Sequence, residues 1–257
     1  MKQLRPFLVA ILLPIAGLVH AADASPNALA LTAPGVTPRW DEGGHRVTTF
    51  QVAQHVGIDE RTALRLAYFS QAPDDIWYAY SAPFIGLVGL PWWNYRHRIV
   101  AVLHSLHGGD YQAVIERRAR LAAMVKAADL AREEDHWKTG FLIHALGDSY
   151  AHVHPAEGDA DPQAVTAYKE LFGHVFDNCE QCTRPDDIPR HPAIYAAYFT
   201  ALEKALTRDG VRHDGSLKLP ANLAVLSADD AQQARSEITF SQVDAFLMQL
   251  TEDLEKD

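Results

Sequence analysis

Cysteine is nearly absent. Cys179 and Cys182, spaced CxxC, are the only two in 257 residues, which excludes a scaffold held by several disulfides. In an oxidising compartment the pair suits one small loop disulfide. A zinc site would need two further ligands at defined spacing, and a redox CxxC would follow a βαβ pattern that the chain lacks. Long apolar runs are also missing. Phe7 to Val19 is apolar for about 13 residues, short of the ~20 that a membrane span needs. Positive charge is in short supply as well: 23 Lys and Arg face 33 Asp and Glu, a formal charge of −10. That balance is a poor match for sequence-independent binding of nucleic acid through its phosphates. It suits a protein whose carboxylates are partly neutralised by cations. Strand signals are weak, with few alternating β-branched runs and no flanked Asn-Gly or Asp-Gly hairpin, and no internal repeat is evident.

What is present describes a globular domain. With 48% hydrophobic and 22% charged residues, the chain can bury a full core. Residues 1–21 read as an export signal: Lys2 and Arg5 form a positive start, the apolar run follows, and Val19, His20 and Ala21 offer a cleavage site. Removing Lys2 and Arg5 takes the charge from −10 to −12. The expected location is the periplasm or the outside of a bacterial cell. Residues 22–39, rich in Ala, Pro and Thr, read as a linker or propeptide, and residues 40–257 as one helical domain.

Within that domain the spacing predicts helices over Val47 to His55, capped by Thr48 or Thr49 and stopped by Gly57, and over Glu60 to Ser70. Further helices are expected over Arg98 to His107, ended by Gly108 and Gly109, and from Asp110 to about Glu134. The central helix begins at His136 and Trp137, with Gly140 permitting close packing. Later ones are expected over Gln163 to Phe176, Pro192 to Thr207 and Phe240 to Glu255, with a short one near Ala228 to Arg235. The apolar, aromatic segment 76–95, broken by Pro83, Gly86, Gly89 and Pro91, reads as a buried connection or as a loop that meets lipid. The fold class is all-α.

The chemistry concentrates in FLIHALGDSYAHVHP, Phe141 to Pro155. His144, Asp148 and His152 are four apart and share one helical face, and His154 follows closely. Imidazoles and a carboxylate on an apolar helix are costly unless paired or bound to metal. Other candidates are His45 beside Trp40, Asp74 and Asp75 in a turn, His97 or His104 seven apart, and His174 with Asp177.

HALGDSYAHVH resembles the HxxxDxxxxxH motif of the all-helical zinc enzymes that include bacterial zinc-dependent phospholipase C and the fungal single-strand-specific nucleases. The resemblance covers about residues 40 to 190 and implies a single-domain helical bundle holding two or three zinc ions. His144, Asp148 and His154 fall on its ligand positions, and Trp40 to His45 looks like the family's start. Asp74 or Asp75 matches the bridging carboxylate, His104 the ligand ahead of the central helix, and His174 the later ligand. Three departures stand out. Trp40 could ligate through a free amino group only after a second cut following Arg39. Four residues beyond His174 is Asn178, leaving Asp177 or an acid of the Asp186-Asp187 turn as partner. Helical geometry selects His152 where family spacing selects His154, and the end of the helix decides between them.

The resemblance implies phosphodiester hydrolysis by a metal-activated water, with the second carboxylate of the Asp74/Asp75 pair orienting the water or taking its proton. A small phosphodiester or a phospholipid is the expected substrate, with transient membrane-surface contact through residues 82–93, and nucleic acid fits less well. A metal-binding helical protein with another role, a nuclease-like phosphodiesterase, and a helical structural protein with a satisfied polar core are the alternatives.

Overall fold

The computed structural model describes residues 40–74, 85, 92–155, 165–170, 173, 184–208, 236 and 238–256. The signal and linker segments, Asp75, His174, Asp177, both cysteines and the expected helix near Ala228 to Arg235 lie outside the described residues, as does most of the apolar segment.

The described chain is mostly helical: α1 (Thr48–His55), α2 (Glu60–Gln71), α3 (Trp93–His97), α4 (Tyr111–Ala127), α5 (His136–Ala151), α6 (Pro192–Leu206) and α7 (Phe240–Glu255). Two π-helical segments, Trp40–Val47 and Arg98–Leu103, run into α1 and out of α3. Because the chain is already helical before Thr48, neither Thr48 nor Thr49 caps α1. The Thr48 hydroxyl instead donates to the Gly43 carbonyl and meets the Tyr195 hydroxyl at 2.7 Å. Gly57 ends α1 as expected, at φ +83. Asp59 and Asp110 accept backbone N–H bonds at the starts of α2 and α4, and Thr239 with Gln242 forms a full capping box on α7.

Helix α5 is the axis of the fold. All its residues except Lys138 are buried, the pattern of a helix with neighbours all round. It packs most extensively on α2 and also meets α4, α6 and both π-helical segments. Gly140 makes the α2 contact possible: a Cβ there would lie 2.3 Å from the Phe69 Cβ and 2.8 Å from the Phe69 carbonyl carbon. Among the described residues, no helix is long and apolar enough to cross a membrane.

Three stretches differ from the sequence expectation, the first being the helix expected over Arg98 to His107, whose helical turns begin at Trp93 and end at Leu103. Val165–Ala167, expected inside a helix, is a strand (β2) paired antiparallel with Val153–Pro155 (β1), with Val153 opposite Ala167. Val165 and Ala167 are buried and Thr166 is exposed, a period-two pattern too short to register in a sequence read for helices. Helix α4 ends at Ala127, before Glu134, because Ala128 turns extended at ψ 134.

Candidate metal centre

Five polar side chains converge where α2, α5 and the two π-helical segments meet. His45 comes from Trp40–Val47, and His104 directly follows Arg98–Leu103. Asp74 ends the 3-10 turn Ala72–Asp74 after α2. His144 and Asp148 project from α5 one turn apart. Wide π turns are frequent at functional sites because they shift side chains off the 3.6-residue register. They also explain why His97 and His104, seven apart, do not share a face. After His104 the chain turns sharply through Ser105, a non-glycine residue at φ +53. Its hydroxyl donates to the Ala145 carbonyl at 3.0 Å, securing that left-handed turn against α5. Opposite, Gly147 leaves room for the His45 ring, since a Cβ there would lie 2.9 Å from its Cε1.

The two carboxylates are shared between two groups of nitrogens. His45 Nε2 lies 3.0 Å from Asp148 Oδ1 and 3.5 Å from Asp74 Oδ2. On the other side, Asp148 Oδ2 lies 2.9 Å from His104 Nδ1 and 3.1 Å from His144 Nε2. Asp74 Oδ1 is 3.8 Å from the former and 3.9 Å from the latter, and the two nitrogens are 3.1 Å apart. Ligand atoms about 2.0–2.1 Å from a tetrahedral ion stand roughly 3.4 Å from one another, so these spacings fit a bound cation. His45, Asp74, His144 and Asp148 could hold a metal ion, with their ligand atoms all within 4.8 Å of one another.

Proton placement favours the same conclusion. His144 Nδ1 lies 2.9 Å from the Ser70 carbonyl, and a carbonyl only accepts, so Nδ1 carries a proton and Nε2 faces the cluster, where it donates to Asp148 when the ring is charged and offers its lone pair to a cation when the ring is neutral. Burial would raise the Asp148 carboxyl, but the charges of His144 and His152 and hydrogen bonds from His104 and His144 hold it well below the usual range. Burial would depress His45, yet its hydrogen bond to Asp148 and the charges of Asp148 and Asp74 raise it. The centre therefore keeps Asp148 anionic and attracts positive charge. Asp74, with a quarter of its side chain exposed where the other four show 2% or less, forms the solvent-facing edge.

The structure thus brings together His45, Asp74, His104, His144 and Asp148. Helix α5 ends at Ala151, so His152 occupies the cap: its Nδ1 donates to the His104 carbonyl at 2.7 Å and lies 3.5 Å from Asp148 Oδ2, while its Nε2 is 3.8 Å from Asp186 Oδ1. His154 sits on β1, exposed, with its ring 3.5 Å from that of Tyr168. His97 is elsewhere, between Glu170 and Glu255. Trp40 is buried among Tyr195 and Tyr198, and its backbone N–H donates to the Asp186 carbonyl at 3.0 Å. Sequence reasoning missed Ser70 and Ser105, whose contributions through a carbonyl and a turn leave no motif. Gly147, a glycine between His144 and Asp148 inside a helix, was a readable signal.

No protein-family model matches the chain, and comparison with curated proteins and with solved structures finds no match either.

Proposed function

We propose that this protein is an exported, metal-dependent phosphodiester hydrolase of the zinc phospholipase C and nuclease type. The observation that carries the reading is the sharing of Asp74 and Asp148 between His45 on one side and His104 with His144 on the other. Such a donor set suits two cations bridged by carboxylates. In chain order, Trp40, His45, Asp74, His104, His144 and Asp148 follow the series that the resemblance implies. Imidazole and carboxylate ligands without thiolate favour zinc.

Zinc held there would supply Lewis acidity and an activated water. The protein's part is to hold the donors and manage protons. Ser70 fixes the His144 tautomer, Gly147 and the π turn place His45, and the Ser105 turn aims His104. With Asp74 among the shared carboxylates, the second carboxylate of the pair, Asp75, is the one left to orient the attacking water and take its proton. Water adds to phosphorus, the P–O ester bond breaks, and the leaving oxygen is protonated. Trp92 and Trp93, 65% and 55% exposed, support contact of the 82–93 segment with a phospholipid surface, and the net charge of −10 disfavours nucleic acid.

Purified protein with zinc should cleave a chromogenic phosphodiester or phosphatidylcholine, and metal analysis should give two or three zinc per chain. Activity that survives exhaustive chelation would sink the proposal. A second reading, a metal-binding helical protein without this activity, is the one favoured if Trp40 is never exposed as a terminus. Mass spectrometry of the mature N-terminus separates the two: a start at Trp40 supports the hydrolase.

A further inference from the structure

We propose that Arg118 anchors a buried binding site for a small monovalent anion of halide size, held in the plane of its guanidinium behind the C-terminal turn of α5. Arg118 projects from α4 and is only 4% exposed. Its Nε donates to the Ser149 carbonyl at 3.0 Å, and its Cζ stacks 3.9 Å from the centre of the Tyr150 ring. Those two contacts account for one N–H and one face. Nη1 and Nη2, which carry the other four N–H groups, are buried with no hydrogen-bond partner among the described residues.

The charge is also unanswered. Burial pulls the Arg118 guanidinium down to about 10, which leaves it cationic at neutral pH. Among the described residues no carboxylate forms an ion pair with it. The ring of Tyr150 and the carbonyl end of α5 offer partial compensation, but neither reaches the N–H groups at the guanidinium edge. The surroundings add positive potential: Arg117, also buried, spends one of its nitrogens on the Ala101 carbonyl at 2.9 Å. His107 is depressed to about 4 by burial and then by Arg117 and Arg118. A buried, unpaired cation with free donors is costly, and an anion at the fork supplies both the missing charge and the missing acceptor.

Charge and hydration select the class of anion. A dianion such as sulfate or phosphate would bring more charge and more acceptors than one fork can satisfy, and fluoride would give up too much hydration. Chloride or bromide, weakly hydrated and compact, fits best. Because Arg118 grips the carbonyl of Ser149, next to Asp148, the anion would brace the turn that carries the metal ligands from behind.

The test is thermal unfolding of the purified protein at fixed pH and ionic strength, with chelator present and chloride exchanged for gluconate. A roughly hundred-fold rise in chloride above its dissociation constant should lift the Tm by several degrees. The Arg118→Met variant should show no chloride increment. Should that variant fail to fold, bromide-soaked crystals of the unaltered protein should show anomalous density beside Nη1 and Nη2. Any of three results overturns the proposal: a Tm indifferent to chloride, an undiminished increment in Arg118→Met, or no bromide at the guanidinium edge. An increment seen only without chelator would also overturn it, by assigning the anion to the metal ions.

Discussion

Replacing Gly147 by alanine tests whether α5 must stay bare where it faces His45. The new Cβ would lie 2.9 Å from His45 Cε1, 3.0 Å from its Nδ1 and 3.4 Å from Tyr198 Cζ. Carbon pairs settle at about 3.5–4.0 Å, so the first contact is roughly 0.5–1 Å too close. Overpacking of that order costs about 1–3 kcal/mol, and alanine returns about 1 kcal/mol of helix propensity. The protein should therefore fold with a loss of about 0–2 kcal/mol. The ring bears the strain: its Nδ1 makes no hydrogen bond among the described residues, so its polar tethers are the Nε2 contacts to Asp148 and Asp74, beside its packing against the His144 ring at 4.2 Å. Zinc affinity should fall by at least the ~10–100-fold typical of a disturbed ligand support. Calorimetric zinc titration beside chemical denaturation measures both effects. A folded Gly147→Ala protein with unchanged zinc affinity and stoichiometry would refute the reasoning. Gly140→Ala is the contrast: its Cβ meets the backbone of Phe69 at 2.8 Å, which cannot swing aside, so stability should fall further there.

Two other tests probe separate parts of the molecule. Asp148→Asn keeps the volume but removes the anion that both nitrogen groups share. At free zinc near 1,000 times its dissociation constant, the unaltered protein should gain about 4 kcal/mol and the variant almost nothing; equal zinc-induced Tm increments would count against the shared carboxylate. His97→Gln addresses the clasp between residue 170 and α7. Burial alone would lower His97, but hydrogen bonds to Glu170 and Glu255 raise it above 6.5. A raised histidine stabilises fully below its unfolded pKa, and that contribution fades as pH climbs through the folded one. The stability gap between the unaltered protein and His97→Gln should thus narrow as pH rises above about 6.5. Urea denaturation across that range checks it, and a constant or widening gap would be inconsistent.

Much of the architecture was legible because helix signals are local. The run from His136, with Gly140 inside it, specified a buried helix with one close neighbour, and Pro192–Leu206 and Phe240–Glu255 follow their patterns within a residue. The β1–β2 pairing was not legible, since it joins residues 153–155 to 165–167 and three-residue strands carry almost no periodic signal. The π turns were equally hidden: a helix that opens to the i+5 bond looks like any other in sequence, yet it is what separates His97 from His104.

The sequence by itself determined that His144 and Asp148 share a helical face, because a spacing of four fixes that wherever the helix lies. It also determined that a cluster of imidazoles and carboxylates in an apolar setting would need a counterion or a metal. Only the tertiary structure decided who joins them. His45, Asp74 and His104 arrive from up to about a hundred residues away in the chain, through turns set by packing rather than by local preference. The end of α5 at Ala151 put His152 against Asp148 and turned His154 outward. Where a helix stops depends on what its last carbonyls and side chains meet, and here they meet Arg118, the His104 carbonyl and a short strand.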